Sequence, residues 1–288
     1  MKLYWVPALS LAYLIIFLVL QANAKATRHL YEEDLLLTSH RYKELKTGVH
    51  GQKRGFTPGR VWPDGKIPFV VDKDLERSYK ASETIAEAMK EWTDKSCVKF
   101  VPRSSEKVYL HIVNDDKERC ASTGVGFEDE RYWLLLAPRC WWKGMVIHEL
   151  GRGIDFDRQN DSDTSSYITP YDYSSIMHYG DGFASKNDEK TLVPKHSGVT
   201  IGHWEKLSEI DIQQVNLHYN CPADSYTYER FICQDKRDSI TCYGGRKIKI
   251  IRAYYGRKKA FKCGFGMNTN CEAMGSEAKV ITAERHSR

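Results

Sequence analysis

Past its first two dozen residues, the sequence has no apolar run long enough to cross a bilayer, so there is no internal transmembrane helix to place. It has no internal repeat, which sets aside a solenoid or array. It has no strong excess of one charge: 43 Lys+Arg face 38 Asp+Glu, a net of +5 over 288 residues. Charged residues make up 28 % and mix both signs, and hydrophobic ones reach 41 %. Most of the chain therefore has the material for a buried core and lacks the composition of a disordered one. Strands and helices show no regular alternation, which argues against a parallel α/β sheet and for the α+β class.

What is present begins with an export signal. Lys2 precedes a mostly apolar run over residues 3–20, and Ala22-Asn23-Ala24 forms a small-x-small cleavage site. The run is near spanning length, so an uncleaved anchor is the alternative; Pro7 and the cleavage site favour a signal peptide over residues 1–24. Eight cysteines in an exported chain imply disulfides, and the sequon at Asn160 fits the same route. The reading is of a secreted protein with no membrane contact after signal removal, and nucleic acid does not suit such a chain. Residues 25–54 are polar and charged apart from Leu35-Leu36-Leu37 and read as a pro-segment closed by the dibasic pair Lys53-Arg54.

The main domain is placed at 55–221. KIPFVV (66–71) reads as a strand after the turn Pro63-Asp64-Gly65. Residues 78–95 read as a helix with Ala81, Ile85, Ala88, Met89 and Trp92 on one face. VKFVP (98–102), VYLHIV (108–113) and YWLLLA (132–137) are further strands, and 143 to about 156 is helical.

That last helix carries VIHELGRGIDFDR (146–158). Two histidines four apart on a helix point the same way and can share one zinc ion, with the intervening glutamate beside the metal-bound water as general base. Longer motifs of this type add a turning glycine, a third histidine and a later Met-turn. Here His148 and Glu149 are present, but the remaining slots hold Arg152, Asp155 and Arg158.

The surroundings give the motif its meaning. YDYSSIMHYG (171–180) resembles the Met-turn of the astacin-type metalloproteases, VWPDGKIPFVV resembles the start of their mature domain, and AMKEWTDKSCVKFVPR (88–103) resembles their first long helix and next strand. Residues 183–221 resemble the closing part of that domain. The resemblance covers about residues 55–221. It implies a zincin-like, two-lobed domain with a twisted mixed sheet and a zinc-site helix, peptide or protein substrates, and zinc as cofactor. It further implies Glu149 as the catalytic base, His148 and Tyr179 as metal ligands, and Met177 as the Met-turn methionine. Asp34, within YEEDLLLT, matches the pro-segment aspartate that caps the zinc in the zymogen. Cys97–Cys221 and Cys120–Cys140 are the implied disulfides.

Departures from the family concern chemistry. An arginine stays protonated and offers no lone pair, so Arg152 and Arg158 cannot ligate a cation. Asp155 replaces the turning glycine; aspartate tolerates the left-handed region better than most residues. Only 18 residues (159–176) separate Arg158 from Met177, fewer than in the family, which removes part of the lower cleft wall. A structural zinc contributes roughly 10–16 kcal/mol with all its ligands, so losing two of four removes on the order of 5–8 kcal/mol. Asp155 or Asp157 joining His148 and Tyr179 is the alternative ligand set. The expectation is a catalytically impaired or inactive homologue, with an active enzyme of atypical ligand set, or a non-catalytic peptide- or matrix-binding module, as the alternatives. Without zinc, Glu149 should pair with Arg152 or Arg158.

After Cys221 the texture changes. Residues 222–288 carry 14 Lys/Arg and 7 Asp/Glu, a net of +7, so the remainder carries 5 − 7 = −2. Residues 222–272 weakly resemble an EGF-like module lacking its middle cysteines, with Cys233–Cys242 and Cys263–Cys271 as the expected pairs, and 273–288 read as a flexible tail. Residues 246–262 hold eight basic and no acidic residues, and their alternation suggests a strand or hairpin with one basic face. Such a face suits anionic extracellular polysaccharide, with a plain solvated surface as the alternative.

Overall fold

The computed structural model describes residues 61–127, 132–159 and 169–222, with short pieces at 28–31, 35–38, 53–55, 227, 232, 239–242, 247–252, 256–257 and 271–272. The chain divides into two compact units, Met1–Ser225 and Tyr226–Arg288. No described helix is long and apolar enough to cross a membrane.

The first unit is an α+β fold on a mixed sheet. Its strands are β1 (Arg28–Tyr31), β2 (Leu35–Thr38), β4 (Lys66–Val71), β5 (Lys99–Pro102), β6 (Leu110–Val113), β7 (Cys120–Ser122) and β8 (Tyr132–Leu136). They lie in the order β1-β2-β7-β8-β6-β4-β5. β5, β4, β6 and β8 run parallel to one another, and β7 returns antiparallel to β8. A separate pair joins β3 (Lys53–Gly55) to β9 (Asp157–Gln159).

Period-2 alternation decides which face is core. Ile67, Leu110, Ile112, Leu134 and Leu136 are fully buried. Helix α1 (Lys73–Arg77) leads into α2 (Tyr79–Lys95), which Ser78 caps by accepting from the Ala81 amide at 3.3 Å. The α2 face Ala81, Ile85, Ala88, Met89 and Trp92 is buried, and the Trp92 indole donates to the carbonyl of Ile147 at 3.1 Å on α3 (Lys143–Gly153). Two helices thus cross under one sheet, locked by an indole that needs a partner once buried.

Two disulfides tie the unit: Cys97 to Cys221 across 124 residues, and Cys120 to Cys140 across 20. α4 (Glu209–His218) begins at a capping box in which Ser208 and Asp211 satisfy each other's backbone amides.

Some boundaries differ from the sequence reading. α3 stops at Gly153, not near 156, because Asp155 takes a left-handed conformation (φ 73°) that a helix does not tolerate. The strand expected over 108–113 forms only from Leu110. In the second unit, the described part of 246–262 contributes the two-residue strand β10 (Gly256–Arg257), paired with β11 (Cys271–Glu272). Asp34, Asn160, Cys233 and Cys263 lie outside the described residues, as do the side chain of Arg158 and the expected pairings of Cys242 and Cys271.

Candidate active site

α3 presents its motif side chains to the core. His148 and Glu149 are fully buried and Arg152 is 1 % exposed. The helix end is held from three sides: the Trp62 indole and the Tyr132 hydroxyl donate to the Gly153 carbonyl at 2.7 and 2.6 Å, and the Tyr219 hydroxyl to that of Ile154 at 3.0 Å. Carbonyls at a helix C-terminus have no intrahelical partner, so these three donors fix where the helix stops.

The Met-turn packs against the helix. Gly151 permits the contact: a Cβ there would lie 2.8 Å from the sulfur of Met177 and 3.2 Å from Trp92. His148 Nδ1 donates to the Ile176 carbonyl at 2.9 Å, since a carbonyl can only accept. That bond fixes the ring orientation and tautomer, as metal-binding histidines require. The turn itself is anchored by Asp211, whose carboxylate accepts from Ser175 Oγ at 2.7 Å, the Ile176 amide at 2.9 Å and the Ser208 amide at 3.0 Å. Burial and the nearby Asp172 push the Asp211 carboxyl up to about 7.

Arg152 supplies the positive charge in this setting. One guanidinium NH₂ donates to the Tyr179 hydroxyl at 2.8 Å, and Nε lies 3.7 Å from Glu149 Oε2. Glu149, Tyr179 and Arg152 form one buried cluster. Asp155 turns to the last helix instead, 3.2 Å from His218 Nε2. Burial drives the His218 imidazole down to about 3, which keeps it neutral at ordinary pH. His178 bonds Tyr171 and its own neighbour's carbonyl, at 2.7 and 2.8 Å.

Aromatic rings lie against the cluster. Trp204 stands 4.9 Å from the His148 ring and donates to the His178 carbonyl at 2.8 Å; Phe183 stacks on Tyr179 at 3.9 Å. Trp142 stacks on Trp204 in turn, at 5.8 Å. The 200–204 loop can come this close because Gly144 and Gly202 leave room: a Cβ on Gly144 would meet the Trp204 carbonyl, and one on Gly202 would lie 2.6 Å from the Gly180 Cα.

These residues do not fit a zinc ion. Beside His148 and Tyr179, the positions that the resemblance assigns to ligands, stands a cation that donates to the tyrosine, and no group of three His, Cys, Asp or Glu gathers for a metal among the described residues. The sequence pointed to α3, Met177 and Tyr179, which the fold brings together. It missed Asp211, the Asp155–His218 contact and the cover of Phe183 and Trp204. Ser208-x-x-Asp211 was a readable capping signature; nothing local marked Phe183 or Trp204.

A helix under a mixed sheet, bearing His-Glu against a Met-turn, defines a metallopeptidase scaffold of the zincin type. Residues 56–156 and 151–220 match the model of the family Astacin (Peptidase family M12A). The chain belongs to the astacin family. It is similar to zinc metalloproteinase nas-4 of Caenorhabditis elegans, 35 % identical over 226 residues that cover 67 % of this chain and 70 % of that one. It is also similar to the low choriolytic enzyme of Oryzias latipes, 30 % identical over 235 residues covering 71 % and 83 %. It spans only 33 % of zinc metalloproteinase nas-15 of C. elegans, at 31 % identity. Among solved structures, the high choriolytic enzyme 1 of medaka, a hatching-enzyme zinc protease, aligns with TM-score 0.51 and 28 % identity over 60 % of this chain and all of that one.

Proposed function

We propose that this chain is a secreted astacin-fold protein that does not hydrolyse peptide bonds and acts by binding. The observation that carries the reading is Arg152: its guanidinium donates to Tyr179 at 2.8 Å and faces Glu149 at 3.7 Å, with all three residues buried. A general base works only on a water it can reach. Glu149, fully buried and facing a cation, is placed for structure rather than proton transfer. Peptide or protein ligands follow from membership in a peptidase family. Residues 1–24 act as the export signal, and 25–54 as the pro-segment.

Metal analysis and a peptide-cleavage assay on the purified, signal-free chain test this. The expected result is substoichiometric zinc and no cleavage. Stoichiometric zinc together with cleavage abolished by Glu149→Gln would establish an active enzyme instead. In the Arg152→His, Arg158→His double variant, zinc uptake is expected to rise; no rise would make the short 159–176 segment the deeper lesion.

A second reading concerns the C-terminal unit. Its eight basic residues over 246–262, with no acidic one, favour anionic matrix polysaccharide as a ligand. Retention on a heparin column should disappear when 222–288 are deleted.

A further inference from the structure

The N-terminal segment that a processing cut would remove is built into the main sheet. β1 and β2 form an antiparallel hairpin in continuous register, from Arg28 opposite Thr38 to Tyr31 opposite Leu35. β2 then lies parallel to β7, with Leu35 opposite Ser122. Leu36 is 8 % exposed and joins Val113, Ala121 and Leu135 in an apolar cluster against which Trp133 packs. This cluster lies on the sheet face away from Leu110, Ile112, Leu134 and Leu136, because each residue is offset by one along its strand.

Without β2, β7 would be the sheet's edge. Its backbone groups would lose their partners beside exposed apolar side chains, which is the template for pairing with another chain. The dibasic pair is paired as well: β3 sets Lys53 opposite Gln159, Arg54 opposite Arg158 and Gly55 opposite Asp157. A protease takes its target as an extended strand with free backbone groups, and those of a ladder are in use. Cutting therefore requires local opening of the ladder first.

We propose that residues 28–38 are a permanent strand ligand of the β7 edge, held there non-covalently even when the chain is severed before residue 55. The segment completes the sheet instead of being discarded. This stands whether or not the chain binds zinc.

The test uses the full exported chain with a unique protease site placed within 43–49. After cutting, native gel filtration with mass spectrometry asks whether the N-terminal fragment travels with the remainder. Retention is expected in the wild type. In Leu36→Asp, retention should fall at least about tenfold. Leu36→Ala should give a smaller loss, and it decides the matter if the Asp variant does not fold. Release of the wild-type fragment with an unchanged melting temperature would overturn the proposal, as would retention insensitive to Leu36. Cleavage after Arg54 by a dibasic-specific protease should be about tenfold or more slower on native than on unfolded chain; equal rates would remove the ladder's protective role.

Discussion

The Met-turn and helix α3 face each other in one buried cluster, yet they differ in kind. The Met-turn side keeps its frame: Asp211 accepts three hydrogen bonds that hold Ser175, Ile176 and Ser208, and the Ile176 carbonyl still orients His148. The helix side keeps its shape but has changed its charge. An internal cation, Arg152, sits with Glu149 and Tyr179 in a family whose relatives are zinc metalloproteinases. A frame made of backbone bonds and packing is indifferent to the metal. A ligand set is not, because a single arginine both withdraws a donor and adds a like charge.

That contrast can be broken from either side, beginning with the frame. The Cys97–Cys221 bond closes a 124-residue loop that joins the end of α2 to the end of α4. Replacing both cysteines by serine should cost about 4–5 kcal/mol, read as a fall in urea midpoint with a larger m-value, because the denatured chain without the cross-link exposes more surface. A loss under about 1 kcal/mol would mean that packing alone holds the Met-turn side.

Arg152→Ala attacks the helix side. It would leave the Glu149 charge buried without its arginine, a change that costs about 3–5 kcal/mol in comparable pairs. Lowering the pH should recover part of the loss, because an abandoned buried carboxylate takes up a proton. Stability that survives the change would show that the arginine is incidental to the cavity.

Asp211→Asn probes the frame through pH. The folded carboxyl is raised to about 7, above its unfolded value of about 3.9. The folded state therefore holds the proton longer, and the associated stability is fully present below about pH 4 and lost as pH rises through 7. Asparagine mimics the protonated form. The stability of the wild type relative to the variant should then fall by on the order of 2–4 kcal/mol between pH 4 and 8, measured by thermal melts across that range. A difference independent of pH would refute a buried carboxyl shared between α4 and the Met-turn.

The frame was far more legible in the sequence than the cavity. The apolar face of α2 follows from spacing, and β4 follows from a six-residue run bounded by a turn; both formed as written. Asp155 stood in a glycine slot and accordingly takes φ 73°. Three things had no local signal. Which of two arginines meets Glu149 depends on where α3 ends, and that is set by Trp62, Tyr132 and Tyr219 from distant segments. Phe183 and Trp204 come from a loop without regular structure. Leu36 belongs to the apolar patch of a segment otherwise read as polar, and its strand is specified only by an edge and an apolar cluster elsewhere in the chain.

Glu149→Gln gives the smallest effect and separates the two sides most cleanly. In a working hydrolase of this design the glutamate serves the reaction, so its amide should abolish turnover. In this chain the carboxylate faces the Arg152 guanidinium in a site closed to solvent. The amide keeps the shape and removes the charge, leaving the arginine with Tyr179 as its hydrogen-bond acceptor. The cost should be about 2 kcal/mol, below that of a fully broken buried ion pair because the amide still fills the site and Tyr179 still accepts from the arginine. Urea unfolding measures that loss, and peptide cleavage on the same samples measures the other. Lost stability with no activity to lose places Glu149 in the frame; lost activity at unchanged stability returns it to catalysis.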